Sequence, residues 1–125
     1  MESHTNKISV RKFYENKTIF LTGATGFLGK FIVEKLLTTC RVKKIYFLLR
    51  EKKGHSVEER LEAYKNNQIF KFRTNPEVLN VLVPIHGDIT VQGLGISEEW
   101  KRILIQEVDV MIHSAATVKF DEELR

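Results

Sequence analysis

Residues 18–30 constrain the fold of this chain more than any other stretch. They read Thr-Ile-Phe-Leu-Thr-Gly-Ala-Thr-Gly-Phe-Leu-Gly-Lys, a short apolar run that ends in three glycines spaced three residues apart. Apolar residues then recur at helical spacing over residues 31–37, so the pattern predicts a strand, a glycine turn and a helix. Such a turn directs the unpaired N–H groups of the helix start beyond the end of the strand. This arrangement suits a diphosphate group, and we therefore predict a nucleotide site here.

Each of the three glycines has a predicted role. Gly23 permits the tight turn, Gly26 lets the backbone approach a pyrophosphate, and Gly29 lets the helix lie close to the strand. The phosphate loop of nucleoside triphosphatases is the obvious alternative because Gly29 precedes Lys30. That motif has four residues between its glycine and its Gly-Lys pair, whereas five separate Gly23 from Gly29. It also needs a hydroxyl at the next position, where this chain has Phe31, so the sequence favours a dinucleotide turn.

The composition indicates one ordinary globular domain. The 125 residues are 42% hydrophobic and 29% charged. The single cysteine, Cys40, cannot form an internal disulfide or a Cys-based metal site, which fits a reducing compartment. No apolar run approaches the roughly 20 residues of a membrane span, and the N-terminus lacks the apolar core of an export signal. The net charge of +4 is modest and mostly scattered, so we expect no nucleic-acid partner.

Strands and helices alternate four times along the chain. Strands are predicted near residues 18–21, 44–49, 82–85 and 108–113. Two helices are predicted near residues 27–39 and 56–66, a third begins at Pro76, and a fourth begins after Ser97. The nearly continuous apolar run at 44–49 is typical of an inner parallel strand. The pattern predicts an α/β fold, a Rossmann-type doubly wound parallel sheet, over residues 18–125. Residues 1–17 are polar and aperiodic, which predicts a flexible N-terminal lead with Val10 and Phe13 touching the body.

The first residue after the second predicted strand indicates which nucleotide the site prefers. Arg50 lies 21 positions after Gly29, where a site for NAD would carry an acidic side chain to bind the ribose hydroxyls. An arginine can instead bind a 2'-phosphate with two parallel hydrogen bonds, so Arg50 predicts NADPH. Lys52, Lys53 and Arg60 are candidates for additional positive charge. The alternative for all four residues is that they are solvated surface cations.

Residues after the third and fourth predicted strands extend the candidate site. Asp88 can accept a hydrogen bond from the adenine amino group while the backbone N–H of Ile89 meets a ring nitrogen. The alternative is that Asp88 caps its own turn. The small residues Ser114, Ala115 and Ala116 would give a cofactor room to pass toward the centre of the sheet.

Two histidines end predicted strands, His86 and His113. His113 ends a buried strand and has no cysteine or acidic partner nearby in sequence that would make it catalytic. We therefore predict that both are satisfied core histidines and that neither is catalytic.

Four separate motifs in the expected order together resemble the extended short-chain dehydrogenases/reductases. These motifs are Thr22–Gly29, Leu48–Arg50, Gly87–Ile89 and His113–Phe120. Over about residues 8–125 the chain more narrowly resembles the start of alcohol-forming fatty acyl-CoA reductases. The resemblance implies reduction of a long-chain acyl-CoA to a fatty alcohol and CoA by two hydride transfers from NADPH. It implies that Gly23, Thr25, Gly26, Phe27 and Leu28 hold the pyrophosphate, Arg50 the 2'-phosphate, Asp88 and Ile89 the adenine, and Ser114 to Ala116 the path to the nicotinamide.

Members of that family carry a catalytic Tyr-x-x-x-Lys pair well downstream. Here Tyr14, Tyr46 and Tyr64 are followed four positions later by threonine, arginine and glutamine. We therefore expect this chain to be the cofactor-binding N-terminal part of a larger reductase, about four strands of the sheet, without catalytic residues and inactive alone. We also expect the fourth strand to be an open edge with Val118 and Phe120 poorly covered.

Two other hypotheses remain open from the sequence. The first is another extended short-chain reductase, such as a thioester reductase or a sugar-nucleotide enzyme, and the second is a non-catalytic NADP-binding module. The resemblance implies an intracellular, cytosol-facing protein. Association with the endoplasmic reticulum or peroxisome membrane is expected only through regions outside this chain.

Overall fold

A four-stranded parallel sheet forms the centre of the protein. The computed structural model describes residues 11–52, 54–71, 74–88 and 90–114. The strands are β1 (Thr18–Thr22), β2 (Lys44–Leu49), β3 (Leu82–His86) and β4 (Val110–His113). The helices are α1 (Phe27–Thr38), α2 (Val57–Lys65), α3 (Gln68–Lys71) and α4 (Glu98–Glu107), with 3₁₀ helices at Pro76–Val81 and Gln92–Gly95.

The strands lie in the order β3-β2-β1-β4, and all of them are parallel. Every residue of β1 is buried, and so is Ile45–Leu49 of β2, which confirms the prediction of an inner strand. The strand β3 lies at one edge of the described sheet, where Pro84 is tolerated although it has no N–H to donate. The strand β4 lies at the other edge, as the sequence predicted.

Helices cover both faces of the sheet. Alternate residues of a strand point to opposite faces, so Ile19 and Leu21 belong to one core while Phe20 belongs to the other. The first core holds Phe47 together with residues of α1, α2 and α3. In the second core, Trp100 and other apolar residues of α4 pack against the sheet. Two cores on opposite faces of a parallel sheet confirm the predicted doubly wound α/β fold.

Side-chain caps explain where two of the longer helices begin. Ser56 accepts a hydrogen bond from the N–H of Glu59, whose side chain accepts one from the N–H of Ser56, so a capping box is present at α2. Ser97 accepts from the N–H of Trp100 at the start of α4. The helix α1 differs from both because its N-cap residue is Gly26, and no side chain there makes a capping hydrogen bond.

Two short elements and one boundary differ from the prediction. The four-residue α3 and the 3₁₀ helix at Gln92–Gly95 were not predicted, since four residues are too few to show a helical period. The predicted fourth strand began at Val108, but the observed β4 begins at Val110. Val108 instead ends α4 by donating its N–H to the carbonyl of Leu104, and the Asp109 carboxylate accepts from the N–H of Thr18.

The prediction that His86 and His113 are core histidines is wrong, because both side chains are exposed. His86 ends β3 and His113 ends β4, so each lies at the carboxyl end of an edge strand. Edge strands are covered on one side only, which leaves a side chain at their ends open to solvent. His113 Nδ1 lies 2.5 Å from Thr22 Oγ1.

The N-terminal segment contacts the body of the protein through Tyr14. Tyr14 packs against the first core, whereas the neighbouring Phe13 is 53% exposed and meets the Tyr14 ring edge-on. The other predicted contact, Val10, and the predicted edge residues Val118 and Phe120 lie outside the described residues. Among the helices of the described ranges, none combines the length and the apolar character that crossing a bilayer requires.

Candidate functional site

A cavity of about 590 Å³ opens at the carboxyl ends of β1, β2 and β3. The sheet order reverses at β1, with β2 on one side and β4 on the other. Open α/β sheets bind ligands outside the carboxyl ends of their strands, at such a reversal. The residues that line the cavity are Gly23, Thr25, Gly26, Phe27, Leu28, Gly29, Leu48, Leu49, Arg50, Lys52, Arg60, Gly87, Asp88 and Ser114.

The structure brings ten predicted site residues to this one cavity. They are Gly23, Thr25, Gly26, Phe27, Leu28, Gly29, Arg50, Arg60, Asp88 and Ser114. The other three predicted residues, Ile89, Ala115 and Ala116, lie outside the described residues, and so does Lys53. Elements far apart in sequence therefore meet at the place where the glycine turn ends.

The three glycines occupy structurally different positions. Gly23 has a φ of +81°, a conformation that L side chains rarely adopt. A Cβ at Gly29 would lie 1.9 Å from the carbonyl oxygen of Gly23, so α1 packs against the turn at a distance that only glycine allows. A Cβ at Gly26 would meet nothing closer than the same oxygen, at 3.6 Å. The backbone at Gly26 is therefore open to a ligand.

The start of α1 has the features of an anion site. Residues Glu58 and Glu59 occupy the first turn of α2, and Glu98 and Glu99 that of α4, but the first turn of α1 has no acidic residue. Together with the missing side-chain cap, this leaves the positive end of the α1 dipole without a protein anion. A diphosphate fits such a helix start because the backbone N–H groups can donate to its oxygens.

Two side chains from other elements hold the glycine turn and the end of β1 before it. The hydroxyl of Tyr64 donates to the carbonyl oxygen of Ala24 over 2.8 Å. The hydroxyl of Ser114 donates to the carbonyl oxygen of Thr22 over 2.9 Å. Sequence reasoning missed the contact of Tyr64 with the turn, since nothing in a local pattern pairs residues 40 positions apart.

Arg50 and Asp88 meet at the other end of the cavity. Arg50 Nη1 lies 3.6 Å from Asp88 Oδ2, and the Arg50 side chain is 56% exposed. Asp88 Oδ1 accepts from both the N–H and the hydroxyl of Thr90, so the carboxylate also caps its own turn. These hydrogen bonds from Thr90, with the nearby Arg50 guanidinium, hold the pKa of Asp88 below its usual value. Both uses of Asp88 that the sequence left open, a turn cap and a cavity residue, are compatible with this geometry.

Arg60 supports the loop that carries Arg50. Its Nη1 donates to the carbonyl oxygen of Arg50 over 2.6 Å, and both side chains line the cavity. Lys52 also lines it, so three cations surround this end of the cavity. A phosphate group beyond the two of the diphosphate would be attracted to these three cations.

Gly87 is a further close-packing position, and the sequence analysis included it in a motif without predicting this packing. A Cβ there would lie 2.6 Å from Leu48 Cδ2 and 2.7 Å from the carbonyl oxygen of Leu94. The only available signal was a glycine directly after a predicted strand, which is too common to interpret alone. Gly87 lets β3 and the following 3₁₀ segment close against β2 beneath the cavity.

Comparisons with known proteins identify the family of this chain and several relatives. Residues 21–125 match the NAD-binding family described as male sterility protein. The chain is 44% identical to fatty acyl-CoA reductase 1 of Mus musculus over 121 residues, which is 94% of this chain and 24% of that protein. It is 40% identical to fatty acyl-CoA reductase wat of Drosophila melanogaster over an alignment that covers 100% of this chain and 26% of that protein. The chain therefore spans about a quarter of the length of these relatives.

A solved structure shares the fold. The reductase domain of a non-ribosomal peptide synthetase from Mycobacterium tuberculosis superimposes with a TM-score of 0.65 and 31% identity, over 83% of this chain and 25% of that one. The family match and this structural neighbour support a nicotinamide cofactor. The uncapped start of α1 and the glycine turn are where the fold would hold its diphosphate. The chain belongs to the male sterility protein family of NAD-binding domains.

Proposed function

We propose that this chain is the cofactor-binding part of an NADPH-dependent reductase that converts long-chain acyl-CoA to fatty alcohol. The single observation that carries the proposal is the start of α1, which faces the cavity with neither a side-chain cap nor an acidic residue. The backbone N–H groups at Phe27 and Leu28 and the open backbone at Gly26 would bind the pyrophosphate. When bound, the nicotinamide cofactor supplies the hydride for the reduction.

The cations at the far end of the cavity support NADPH rather than NADH. Arg50, Lys52 and Arg60 line the cavity on the side of β2, where the ribose that follows the pyrophosphate would lie. The 2'-phosphate of NADPH would bind Arg50, whose exposed guanidinium already has one carboxylate partner in Asp88. Asp88 thereby orients Arg50 and would itself remain near the adenine, beside Ile89.

The substrate class rests on the relatives. Two of them are named fatty acyl-CoA reductases, and they match almost the whole of this chain. Reduction of a thioester to an alcohol takes two hydrides and releases the thiol, so the products would be a fatty alcohol and free CoA with two NADP⁺. The residues described here would bind and orient the cofactor, and Ser114 would lie beside the path toward its reactive end.

The activity is tested in the full-length protein that carries this segment, incubated with hexadecanoyl-CoA and NADPH. We expect hexadecanol by gas chromatography and two NADPH oxidised for each CoA released. Consumption of NADPH without release of CoA, or no consumption at all, would contradict the proposed function.

The structural neighbour favours a second candidate, a thioester reductase that acts on a carrier-bound acyl chain. Both activities share the cofactor site, so the acyl donor distinguishes them. Turnover of an acyl group on a phosphopantetheinyl carrier protein, with hexadecanoyl-CoA left unchanged, would replace the first proposal by the second.

The cofactor preference is tested at Arg50. We expect Arg50→Gln to weaken NADPH binding by about 10- to 100-fold, the size of losing charged hydrogen bonds, and to leave NADH binding nearly unchanged. Calorimetric titration of the full-length protein with each nucleotide measures the two affinities. The matched control is Arg102→Gln, because Arg102 is an exposed arginine of α4 that does not line the cavity. Equal losses for NADPH and NADH would remove the assignment of Arg50 to the 2'-phosphate.

A further inference from the structure

The helix α2 contacts both loops that border the cavity. Tyr64 donates to the carbonyl oxygen of Ala24 in the glycine turn, and Arg60 donates to the carbonyl oxygen of Arg50 in the loop after β2. Residues four apart on a helix lie on the same face, so a single face of α2 reaches both loops. The spacing between the two loops is therefore tied to the position of one helix.

Tyr64 is a hydrogen-bond donor whose position is fixed by packing. Its side chain is 5% exposed, and its ring stacks on Phe47 of β2 with 5.3 Å between ring centroids and an interplanar angle of 26°. Phe70 of α3 packs against the same ring at 5.1 Å. Burial raises the pKa of Tyr64, so the phenol keeps its proton at neutral pH and remains a donor. A donor held by aromatic rings on two other elements can fix the acceptor that it contacts.

The acceptor lies within the turn that would bind the pyrophosphate. Ala24 is 1% exposed and follows Gly23, the residue with positive φ. The carbonyl of Gly23 accepts from the N–H of Gly26 over 3.2 Å, so the turn closes directly around Ala24. The direction of the Ala24 carbonyl fixes the peptide plane that leads into Thr25, and with it the direction of the amides that follow. A freed Ala24 carbonyl would allow this plane to rotate.

We propose that Tyr64 is a positioning residue that holds the glycine turn in the conformation that binds the pyrophosphate. This inference rests on the proposed function, since it assigns a role toward the same cofactor. The pyrophosphate is common to NADPH and NADH, so the role of Tyr64 differs from that of Arg50. Loss of the Tyr64 hydroxyl reduces the affinity for both nucleotides by the same factor.

The test compares Tyr64→Phe with Ile85→Val in the full-length protein. Tyr64→Phe removes one oxygen and keeps the aromatic packing. Ile85→Val removes one buried methyl group from the second core, on the face of the sheet opposite Tyr64, and it serves as the matched control for a loss of stability. Each variant is measured at the same interval below its own Tm.

We expect Tyr64→Phe to raise the Kd for NADPH and the Kd for NADH by about tenfold each, and Ile85→Val to change neither by more than about twofold. In the cofactor-free protein, hydrogen exchange of the amides of residues 25–29 should be faster in Tyr64→Phe alone. This second readout depends on the turn itself and needs no bound nucleotide.

Three outcomes would overturn the inference. They are unchanged affinities in Tyr64→Phe, an equal loss in Ile85→Val, and a loss confined to NADPH. If the unsubstituted protein binds neither nucleotide, the proposed function fails and this inference fails with it. Normal binding by the unsubstituted protein together with any of the three outcomes removes the role of Tyr64 alone.

Discussion

Within the glycine turn, one glycine is needed for the fold and another is needed for the candidate site. The two glycines at the start of α1, Gly26 and Gly29, are three residues apart and have opposite surroundings. Gly29 is close-packed against the carbonyl of Gly23, whereas Gly26 has a φ of −75° and open space around its Cα. The same residue type is therefore needed for packing at one position and for access at the other.

The pair of substitutions Gly29→Ala and Gly26→Ala tests this difference. Gly29→Ala should lower the free energy of unfolding by about 1–3 kcal/mol, because its Cβ would overlap the Gly23 carbonyl. Gly26→Ala should leave stability unchanged or raise it by up to about 1 kcal/mol, because alanine tolerates this φ and restricts the unfolded chain. Urea denaturation of both variants measures the difference.

Calorimetry on the same two variants tests the site. Gly26→Ala should lower the affinity for NADPH and for NADH by at least about tenfold, since the added methyl group occupies the surface that the pyrophosphate would approach. Full affinity in Gly26→Ala would place the nucleotide elsewhere, and full stability in Gly29→Ala would contradict the close packing of α1.

Individual elements owe their boundaries to local chemistry and their positions to distant contacts. The start of α2 is fixed by the reciprocal hydrogen bonds of Ser56 and Glu59. Its place beside the cavity is fixed by Tyr64, which reaches the glycine turn, and by Arg60, which reaches the loop after β2. A change at the start of α2 should therefore affect both stability and the site.

The cap variants Ser56→Ala and Ser97→Ala test this coupling. Each loses a side-chain acceptor at a helix start, so each should cost about 1 kcal/mol of the free energy of unfolding. Only Ser56→Ala should also weaken the binding of NADPH, because fraying of α2 displaces Arg60. Ser97→Ala should not, because α4 contributes no residue to the cavity lining. Thermal unfolding gives the first quantity and calorimetry the second. Equal effects of both variants on NADPH affinity would show that α2 has no special role.

The sequence predicted elements well where a local pattern sufficed. The strand at Lys44–Leu49 was predicted at its observed bounds, and the starts of α2 and α4 followed from Ser56 and Ser97, because hydrophobic runs and caps are readable along the chain. The four-residue α3 was missed because it is shorter than the pattern that would reveal it, although Phe70 in it is fully buried.

The candidate site was predictable only in part for a similar reason. Glycine spacing and the position of Arg50 identified part of the cavity lining, including Gly23, Gly26 and Arg50. The ion pair between Arg50 and Asp88, the hydrogen bond from Tyr64 to Ala24 and the close packing at Gly87 each join separate segments. Such contacts depend on how the elements pack, which no local pattern specifies. His86 was mispredicted as buried because a strand end does not reveal whether the strand is an edge. His113 was mispredicted although its strand was expected to be an edge, because the apolar run before it was taken as a sign of burial.

The stability of the whole molecule should depend on the protonation of buried tyrosine. Burial raises the pKa of Tyr64 above its ordinary value of 10.0, so the folded protein holds this proton more tightly than the unfolded chain does. The contribution of neutral Tyr64 to the free energy of unfolding is therefore fully present below pH 10, and it is lost as the pH rises above 10. The loss is about 1.4 kcal/mol for each pH unit between the unfolded and folded pKa values.

Urea denaturation at pH 9 to 11 of the unsubstituted chain and of Tyr64→Phe measures this effect. We expect the free energy of unfolding to fall less steeply with pH in Tyr64→Phe, because phenylalanine has no proton to lose. Parallel pH dependence in the two proteins would show that Tyr64 ionises in the folded state as readily as in the unfolded chain.

The position of β1 between β2 and β4 has a consequence for synthesis on the ribosome. Thr22 pairs on one side with β4 at His113, which is 91 residues later in the chain. At translation rates of about 5–20 residues per second, this edge of a fully buried strand stays without its partner for roughly 5–20 seconds. The nascent segment therefore exposes a pairing edge for longer than a small domain usually takes to fold, and we expect it to be prone to strand pairing with other chains until β4 has been made.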